Sequence, residues 1–208
     1  MKTLYLGLTP PLALPGQTLV HYPVISIQPI HSPEIDNALA QTYTHVLFTS
    51  KTAVRLVTNK LKDSAAKIYT VGTATAQVAE QAGFTVTQIA IPETAEGMVE
   101  LLKQEDLSDA HLLWPRSAQA RAVIGDYCKI NNIRLTDISI YSTQLERPTP
   151  VPSLLEMDQI VFTSPSTIDG FFAIFDSIPP HISVQCIGPI TRQHLSSRRD
   201  ASTVLSPA

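Results

Sequence analysis

The sequence predicts an α/β protein in which two related units each contain a parallel sheet. Short runs of β-branched and aromatic residues alternate with stretches whose apolar residues recur at helical spacing. Several short runs are almost entirely apolar, as strands buried on both faces of a parallel sheet must be. A strand, helix, strand order also occurs twice along the chain. These observations favour an α/β architecture over an all-α or all-β one.

The predicted strands are short, and each is followed by a turn or a helical pattern. After a first strand that ends near Gly7, they are 46–48, 68–71, 85–89, 112–114, 138–141, 159–162 and 184–187. Helical spacing of apolar residues is found in three groups, which are Ala53, Val57 and Leu61; Met98, Leu101 and Leu102; and Ala120, Val123, Tyr127 and Ile130. The alternation is that of successive βαβ units.

The repeat is the most informative feature of the organisation. The matching segments are 46–54 with 160–168 and 68–75 with 184–191. The first pair is offset by 114 positions and the second by 116. Each copy has a strand, a Thr-Ser pair, a helix, a second strand, a glycine and a threonine. Two copies indicate two related domains, because a solenoid needs at least three repeats.

Prolines mark two extended stretches that could join the units. One lies between Pro23 and Pro33, and the other precedes Pro148, Pro150 and Pro152. If the chain crosses between the units at both places, one unit is 37–140 and the other joins an N-terminal arm to 151–208. A simple division near residue 148 explains the sequence almost equally well.

The composition excludes several classes of protein. With 208 residues, 44% of them hydrophobic and 16% charged, the chain is too apolar to be disordered. A net charge of -3 argues against duplex nucleic acid as a partner, because phosphate contacts need a basic face. No window of 18 apolar residues predicts a membrane span. Two cysteines, Cys128 and Cys186, form no disulfide framework or zinc motif, so we expect a reducing cytoplasm.

The Thr-Ser pairs are candidates for ligand binding. Thr49 and Ser50 follow one predicted strand, and Thr163 and Ser164 follow its repeat. Open α/β sheets bind ligands at this carboxyl edge, where hydroxyls and free N–H groups at a helix N-terminus hold carboxylates or phosphates. The alternative is that Ser50 and Ser164 only cap their helices, at about 1 kcal/mol each.

Two glycine turns place further hydroxyls at helix starts. Gly72 and Gly188 each follow a strand and precede Thr75 and Thr191. Neither turn has the G-x-G-x-x-G of dinucleotide folds or the G-K-[ST] of P-loops. The sequence therefore gives no support to a nucleotide cofactor.

Two further side chains have functional and structural alternatives. Arg116 is predicted to lie just after the strand 112–114, where its guanidinium can grip a carboxylate; otherwise it is a solvated surface residue. Tyr141 is predicted at the end of a strand, where its neutral phenol can give a proton to a leaving oxygen; otherwise it covers a core edge. The histidines show no metal-ligand spacing, and no G-x-S-x-G elbow is present, so no metal site is predicted.

In their order and spacing, six short motifs resemble the uroporphyrinogen-III synthase family over about residues 45–195. They are Phe-Thr-Ser at 48–50 with Ala-Val at 53–54, Val-Gly-Thr-Ala-Thr-Ala at 71–76, Trp-Pro-Arg at 114–116, Ile-Tyr-Ser-Thr at 140–143, Phe-Thr-Ser-Pro-Ser at 162–166 and Ile-Gly-Pro-Ile-Thr at 187–191. The resemblance implies two similar three-layer α/β/α lobes with swapped chain segments and a two-stranded linker. The implied lobes are 1–30 with 151–208, and 37–140, joined by 31–36 and 141–150.

The resemblance also implies the reaction. The substrate would be hydroxymethylbilane, which loses water and closes to uroporphyrinogen III with ring D inverted, without a metal or other cofactor. Tyr141 matches the tyrosine that would assist departure of the hydroxyl. Substrate carboxylates would be held by hydroxyls and N–H groups of Thr49, Ser50, Gly72, Thr75, Thr163, Ser164, Ser166, Gly188 and Thr191, with Arg116.

The resulting expectation is a cytoplasmic, monomeric lyase of haem biosynthesis without nucleic-acid or membrane partners. An alternative is a non-catalytic module of the same fold that binds a tetrapyrrole or another polycarboxylate. A two-lobed sugar or amino-acid binding protein is a third possibility, against which the lack of an export signal counts.

Overall fold

The computed structural model describes residues 1–12, 15–61 and 65–204, with side chains up to Arg198. The described strands are β1 (Lys2–Tyr5), β2 (Thr18–His21), β3 (Ile25–Pro29), β4 (His45–Phe48), β5 (Lys67–Val71), β6 (Val86–Ala90), β7 (His111–Ser117), β8 (Arg134–Leu145), β9 (Gln159–Phe162) and β10 (Ser183–Cys186). The described helices are α1 (Pro33–Leu39), α2 (Lys51–Leu61), α3 (Thr73–Gln81), α4 (Ala95–Leu102), α5 (Val123–Ile130), α6 (Pro165–Phe172) and α7 (Pro189–Val204), with a 3-10 turn at Leu154–Glu156.

The chain divides into two compact units. Unit 1 comprises Met1–Ile27 and Thr143–Ala208, and unit 2 comprises Gln28–Ser142. The chain passes from one unit to the other inside β3 and again inside β8, which are neighbours in one sheet. Of the predicted linker 31–36, residues 33–36 lie in α1. Among the residues described, no helix combines the length and hydrophobicity that a membrane crossing requires.

Unit 2 is built on a sheet with the strand order β3-β8-β7-β4-β5-β6. The pairs from β8 to β6 are parallel, which confirms the predicted sheet type. The middle strand β4 is completely buried at Val46, Leu47 and Phe48, as its apolar run predicts. On α2, the buried residues include Ala53 and Val57, so the helical spacing identified this helix correctly.

Two strands of unit 2 are longer than predicted. Strand β7 continues past Trp114 to Ser117, although Pro115 offers no N–H, because β8 pairs with it from His111 to Ser117. The expectation that Arg116 follows the strand is therefore wrong. Strand β8 likewise continues to Leu145, so Tyr141 lies inside this strand rather than at its end.

Unit 1 has the strand order β10-β9-β1-β2, with every pair parallel. Both ends of the chain contribute, because β1 lies between β2 and β9. The core consists of apolar side chains from the strands and from both helices; its completely buried members are Leu4, Leu6, Val24, Ile160, Phe162, Ile168 and Phe171. The strand predicted near the N-terminus is confirmed, whereas β2 has no counterpart in the prediction.

The internal repeat is confirmed in the strand register. Elements β4, α2, β5 and α3 of unit 2 correspond to β9, α6, β10 and α7 of unit 1. Val46 pairs with Ile68 in one copy, and Ile160 pairs with Val184 in the other. Val46 is equivalent to Ile160, and Ile68 is equivalent to Val184. Because both pairs have the same register, the two extra residues of unit 1 lie in the segment between its two strands.

Candidate functional site

A cluster of hydroxyl groups surrounds the phenol of Tyr141 in unit 2. The Tyr141 hydroxyl lies 2.9 Å from the Ser50 Oγ, and Ser117 and Thr52 also interact with the phenol. The backbone of Tyr141 is fixed by pairing opposite Ser117 in β7, and its carbonyl accepts a hydrogen bond of 2.8 Å from Ala118. Only 6% of the tyrosine is exposed. Strand pairing therefore places an almost buried phenol among hydroxyl partners.

Two opposing effects act on this phenol. Burial raises the pKa of Tyr141 above its ordinary value of 10.0, because the charged form loses its hydration. Hydrogen bonds from Ser50, Ser117 and Thr52 stabilise the phenolate and so lower the pKa, with the burial effect the larger. Tyr141 is consequently neutral at physiological pH, and it carries a proton that it can donate.

Ser50 connects this phenol to the start of α2. Its Oγ accepts a hydrogen bond of 3.1 Å from the backbone N–H of Ala53, so Ser50 caps α2. The neighbouring Thr49 hydroxyl accepts a 3.3 Å hydrogen bond from the indole N–H of Trp114. Both hydroxyls of this Thr-Ser pair therefore have partners within unit 2.

The equivalent pair in unit 1 is held differently. Ser164 caps α6 by accepting a 3.4 Å hydrogen bond from Thr167 N–H. The Thr167 Oγ1 in return accepts from the backbone N–H groups of Thr163 and Ser164, at 3.1 and 3.2 Å. Its proton goes to the Ser164 carbonyl, at 2.7 Å. Ser166 lies half-buried in the same first turn.

Both glycine turns have the positive φ that a tight turn requires, 84° at Gly72 and 81° at Gly188. The turn at Gly72 already holds a carboxylate of this chain. The Glu93 Oε1 accepts from the backbone N–H of Thr73 at 2.9 Å and from its hydroxyl at 2.8 Å. These bonds hold the pKa of Glu93 below its usual range. Apart from its chain neighbours Ile187 and Pro189, no described residue has an atom within 4 Å of where a Cβ on Gly188 would be.

Thr75 and Thr191 occupy the same position in the two copies. Each is the third residue of its helix, α3 or α7, as the repeat predicts. Both are almost completely buried, with 6% and 3% of their surface exposed. Within each unit, these threonines therefore pack inward from the helix start.

The Arg116 guanidinium binds a carboxylate, but this carboxylate belongs to the protein itself. Its Nε and Nη2 both donate to Asp137 on β8, the second bond being 3.1 Å long. The guanidinium also lies over the Trp114 ring, 5.0 Å from its centroid. These contacts hold the Arg116 side chain against the sheet instead of leaving it solvated.

Two polar residues that lie at or just after the carboxyl ends of β2 and β6 were not identified from the sequence. His21 ends β2 in unit 1, and its Nε2 lies 2.8 Å from the Gly7 carbonyl, which only accepts, so this nitrogen carries the proton. It was missed because β2 has no fully buried residue and so no clear strand pattern. Glu93 was missed because its contact with Thr73 spans 20 residues and follows no motif.

Three other features of the described residues lie apart from the hydroxyl cluster around Tyr141. No group of three histidine, cysteine, aspartate or glutamate side chains could hold a metal ion there. A pocket of about 370 Å³ adjoins Lys67 and Thr87, at the amino ends of β5 and β6, opposite to the edge where open α/β sheets bind ligands. Burial raises the pKa of the Cys128 thiol to about 11, as suits a packing role.

Comparison with known proteins gives a consistent result. A sequence model of the uroporphyrinogen-III synthase HemD family matches residues 11–207. A Methanothermobacter thermautotrophicus protein, provisionally named uroporphyrinogen-III synthase, is 26% identical over 202 residues, covering 86% of this chain and 79% of that protein. The porphyrin biosynthesis protein HemD of Ruminiclostridium josui is 27% identical over 201 residues; the match covers 86% of this chain and 39% of that longer protein.

Solved structures show the same fold. The uroporphyrinogen-III synthetase of Helicobacter pylori has a TM-score of 0.64 at 16% identity, covering 95% of this chain and 89% of that one. A mutant uroporphyrinogen III synthase of Thermus thermophilus has a TM-score of 0.63 at 17% identity, covering 94% and 88%. The predicted α/β fold with parallel sheets is thereby confirmed.

Proposed function

The chain belongs to the uroporphyrinogen-III synthase family, whose enzymes act in porphyrin biosynthesis, and we propose that Tyr141 is the residue with which it promotes ring closure. The substrate on this proposal is hydroxymethylbilane, and the product is uroporphyrinogen III. The observation that supports the role of Tyr141 is its neutral phenol, held among hydroxyls in unit 2.

The first step on this proposal is loss of the terminal hydroxyl of hydroxymethylbilane. The Tyr141 O–H bond breaks as its proton passes to the leaving oxygen, which departs as water and leaves an azafulvenium cation. Hydrogen bonds from neighbouring hydroxyls stabilise the phenolate formed at that moment.

The later steps rearrange ring D. Its substituted carbon attacks the cation to give a spiro intermediate, which fragments and closes again with ring D inverted. A proton lost from the pyrrole carbon in the final step restores the phenol, so the balance is the loss of one water. The protein's main task is to hold a linear tetrapyrrole in the conformer that leads to this isomer.

The proposed carboxylate contacts rely on helix N-termini rather than on positive charge. This suits a chain with a net charge of -3. They comprise Thr49, Gly72, Thr75, Thr163, Ser164, Ser166, Gly188 and Thr191, with the backbone N–H of Ser50 and, as a charged exception outside the helix N-termini, the guanidinium of Arg116. Of the two glycine turns, that at Gly188 offers the more open position for a substrate carboxylate, because Glu93 already occupies the donors of Thr73.

The proposed organisation follows the same family. We propose that units 1 and 2 are its two similar lobes, with swapped segments and with β3 and β8 as the two-stranded linker; the two chain crossings inside these strands support this. We further propose a cytoplasmic monomer without nucleic-acid partners.

The deciding experiment is a coupled assay. Hydroxymethylbilane is generated in place, purified protein is added, and the oxidised products are separated into type I and type III uroporphyrin isomers. We expect mostly type III. Type I alone, from protein shown to be folded, would contradict the cyclase and favour a non-catalytic binding module.

A further inference from the structure

We propose that Ser50 positions the phenol of Tyr141 by donating its hydroxyl proton to the phenolic oxygen, which leaves the phenol's own proton for the substrate. The proposal rests on the function assigned to Tyr141. It gives Ser50 a role that acts through the tyrosine, distinct from direct contact with a substrate carboxylate.

The direction of the first hydrogen bond is fixed by chemistry. The Ala53 N–H can only donate, so the Ser50 Oγ is the acceptor in their 3.1 Å contact. This N–H belongs to the first turn of α2, where the unpaired amides carry partial positive charge. An oxygen that accepts from such a group becomes a better donor through its own hydrogen, because linked hydrogen bonds polarise one another.

The second contact, of 2.9 Å, joins the Ser50 Oγ to the Tyr141 hydroxyl. Each of these groups has a single proton. If the phenol donated to Ser50, its proton would be committed within the protein. If Ser50 donates, the hydrogen bond is made equally well and the phenolic proton points elsewhere.

The contacts of Ser117 support the arrangement in which Ser50 donates to the phenolic oxygen. Its hydroxyl donates to the Gln119 Oε1 at 2.7 Å and accepts from the Gln119 N–H at 3.2 Å. While its proton is engaged in this way, Ser117 accepts from the neutral phenol, with which it also interacts; once the phenol has given up its proton, the Ser117 hydroxyl can turn and donate to the phenolate. In this arrangement the proton of Tyr141 points away from Ser50, and the leaving hydroxyl of a substrate can replace Ser117 as its acceptor.

Three substitutions at Ser50 separate positioning from capping. Ser50→Ala removes both hydrogen bonds. Ser50→Asp keeps a good N-cap, but an ionised carboxylate can only accept, so it draws the phenolic proton to itself. Ser50→Thr keeps a hydroxyl and tests rescue. Ser32→Ala is the matched control for the loss of a cap, because the Ser32 hydroxyl accepts from the Ile35 N–H at the start of α1 and Ser32 is not one of the proposed binding residues.

The readouts are the rate of type III isomer formation and the titration of Tyr141, followed by NMR of protein labelled with ¹³Cζ-tyrosine. The Tyr141 signal is assigned by its absence in Tyr141→Phe. We expect Ser50→Ala to lower kcat about tenfold with little change in KM, as loss of a hydrogen bond acting in the transition state should. Its Tyr141 pKa should rise, since the bond from Ser50 lowers it.

The aspartate variant tests the direction of donation. We expect Ser50→Asp to be stably folded yet slower than Ser50→Ala, by a further factor of about ten, and Ser50→Thr to be close to the wild type. Ser32→Ala should leave the Tyr141 titration unchanged. Unfolding by urea shows for each variant whether the fold is retained.

Several outcomes would overturn the positioning role. One is a Ser50→Ala variant with a raised KM and unchanged kcat, as expected if Ser50 binds substrate directly. Another is a Tyr141 pKa that does not move in Ser50→Ala, and a third is a Ser50→Asp variant at least as fast as Ser50→Ala. Failure of the proposed function would be recognised separately, because the wild-type protein would then give only the type I isomer in the coupled assay.

Discussion

In unit 2 the serine that caps α2 reaches the phenol of Tyr141, whereas in unit 1 the serine that caps α6 is enclosed in a reciprocal capping box with Thr167. The two serines have the same place in the repeat and cap their helices in the same way. A second difference lies three residues further on, where unit 2 has Ala53 and unit 1 has Thr167, whose hydroxyl bonds to the backbone of Thr163 and Ser164. In unit 2 the hydroxyl of the cap serine instead has a side-chain partner on β8.

The glycine turns differ in a corresponding way. The start of α3 in unit 2 is occupied by the Glu93 carboxylate, and the start of α7 in unit 1 is more open at Gly188. In unit 2 a side chain of the same unit therefore occupies the start of the helix after the glycine turn, whereas in unit 1 a side chain completes the serine cap of α6. The backbone framework alone does not determine function, because single side chains decide which donors remain available.

The largest expected effect comes from Tyr141→Phe. Removal of a proton donor should lower the rate of type III formation about 100-fold, the lower end of the range for general acid catalysis. Tyr127→Phe on α5 is a suitable control, because that tyrosine lies outside the hydroxyl cluster. Full turnover by Tyr141→Phe in the coupled assay would exclude the proposed role.

The two glycine turns can be compared by alanine substitution. Each should cost about 1 to 3 kcal/mol of unfolding free energy, because both glycines have a φ that side chains rarely adopt. Gly72→Ala should cost more than Gly188→Ala, since its new Cβ would lie 3.1 Å from the Glu93 Oε2. Urea unfolding measures both; a larger loss for Gly188→Ala would show that the contact with Glu93 does not matter.

Thr167→Ala would give the unit 1 copy the residue that unit 2 has. We expect a loss of about 1 to 2 kcal/mol in unfolding free energy, because the backbone N–H groups of Thr163 and Ser164 lose their acceptor. Thr167→Ser retains the hydroxyl and should recover most of this stability. If the alanine variant unfolds at the same urea concentration as the wild type, the capping box is energetically unimportant.

The smallest effect is expected from Glu93→Gln, and it depends on pH. The pKa of Glu93 is lower in the folded protein than its ordinary value of 4.5, so its ionised form stabilises the fold. The stability difference between wild type and variant should be about 0.5 kcal/mol at pH 6 and low salt. It should fade as pH drops below 4.5 through the folded value. A difference that grows on acidification would contradict this account.

Sequence patterns predicted what is local and buried. The apolar runs of β4, β5 and β9 identified their strands, and the repeat identified equivalent turns, because burial constrains neighbouring residues directly. The contact between Ser50 and Tyr141 spans 91 residues and depends on the length and register of β8, which no local pattern sets. Arg116 was misplaced for a similar reason, since pairing with β8 carries β7 through Pro115.

The position of β1 has a consequence for synthesis on the ribosome. Its Thr3 bonds to Gln159, 156 residues later, so the middle of the unit 1 sheet must wait for the last third of the chain to emerge. Unit 2 is one continuous segment, Gln28–Ser142, and can gain its core while β1 and β2 still lack β9 and β10. A nascent chain with residues up to 142 outside the ribosome would carry a nearly finished unit 2 and only two strands of the unit 1 sheet, too few to be stable alone.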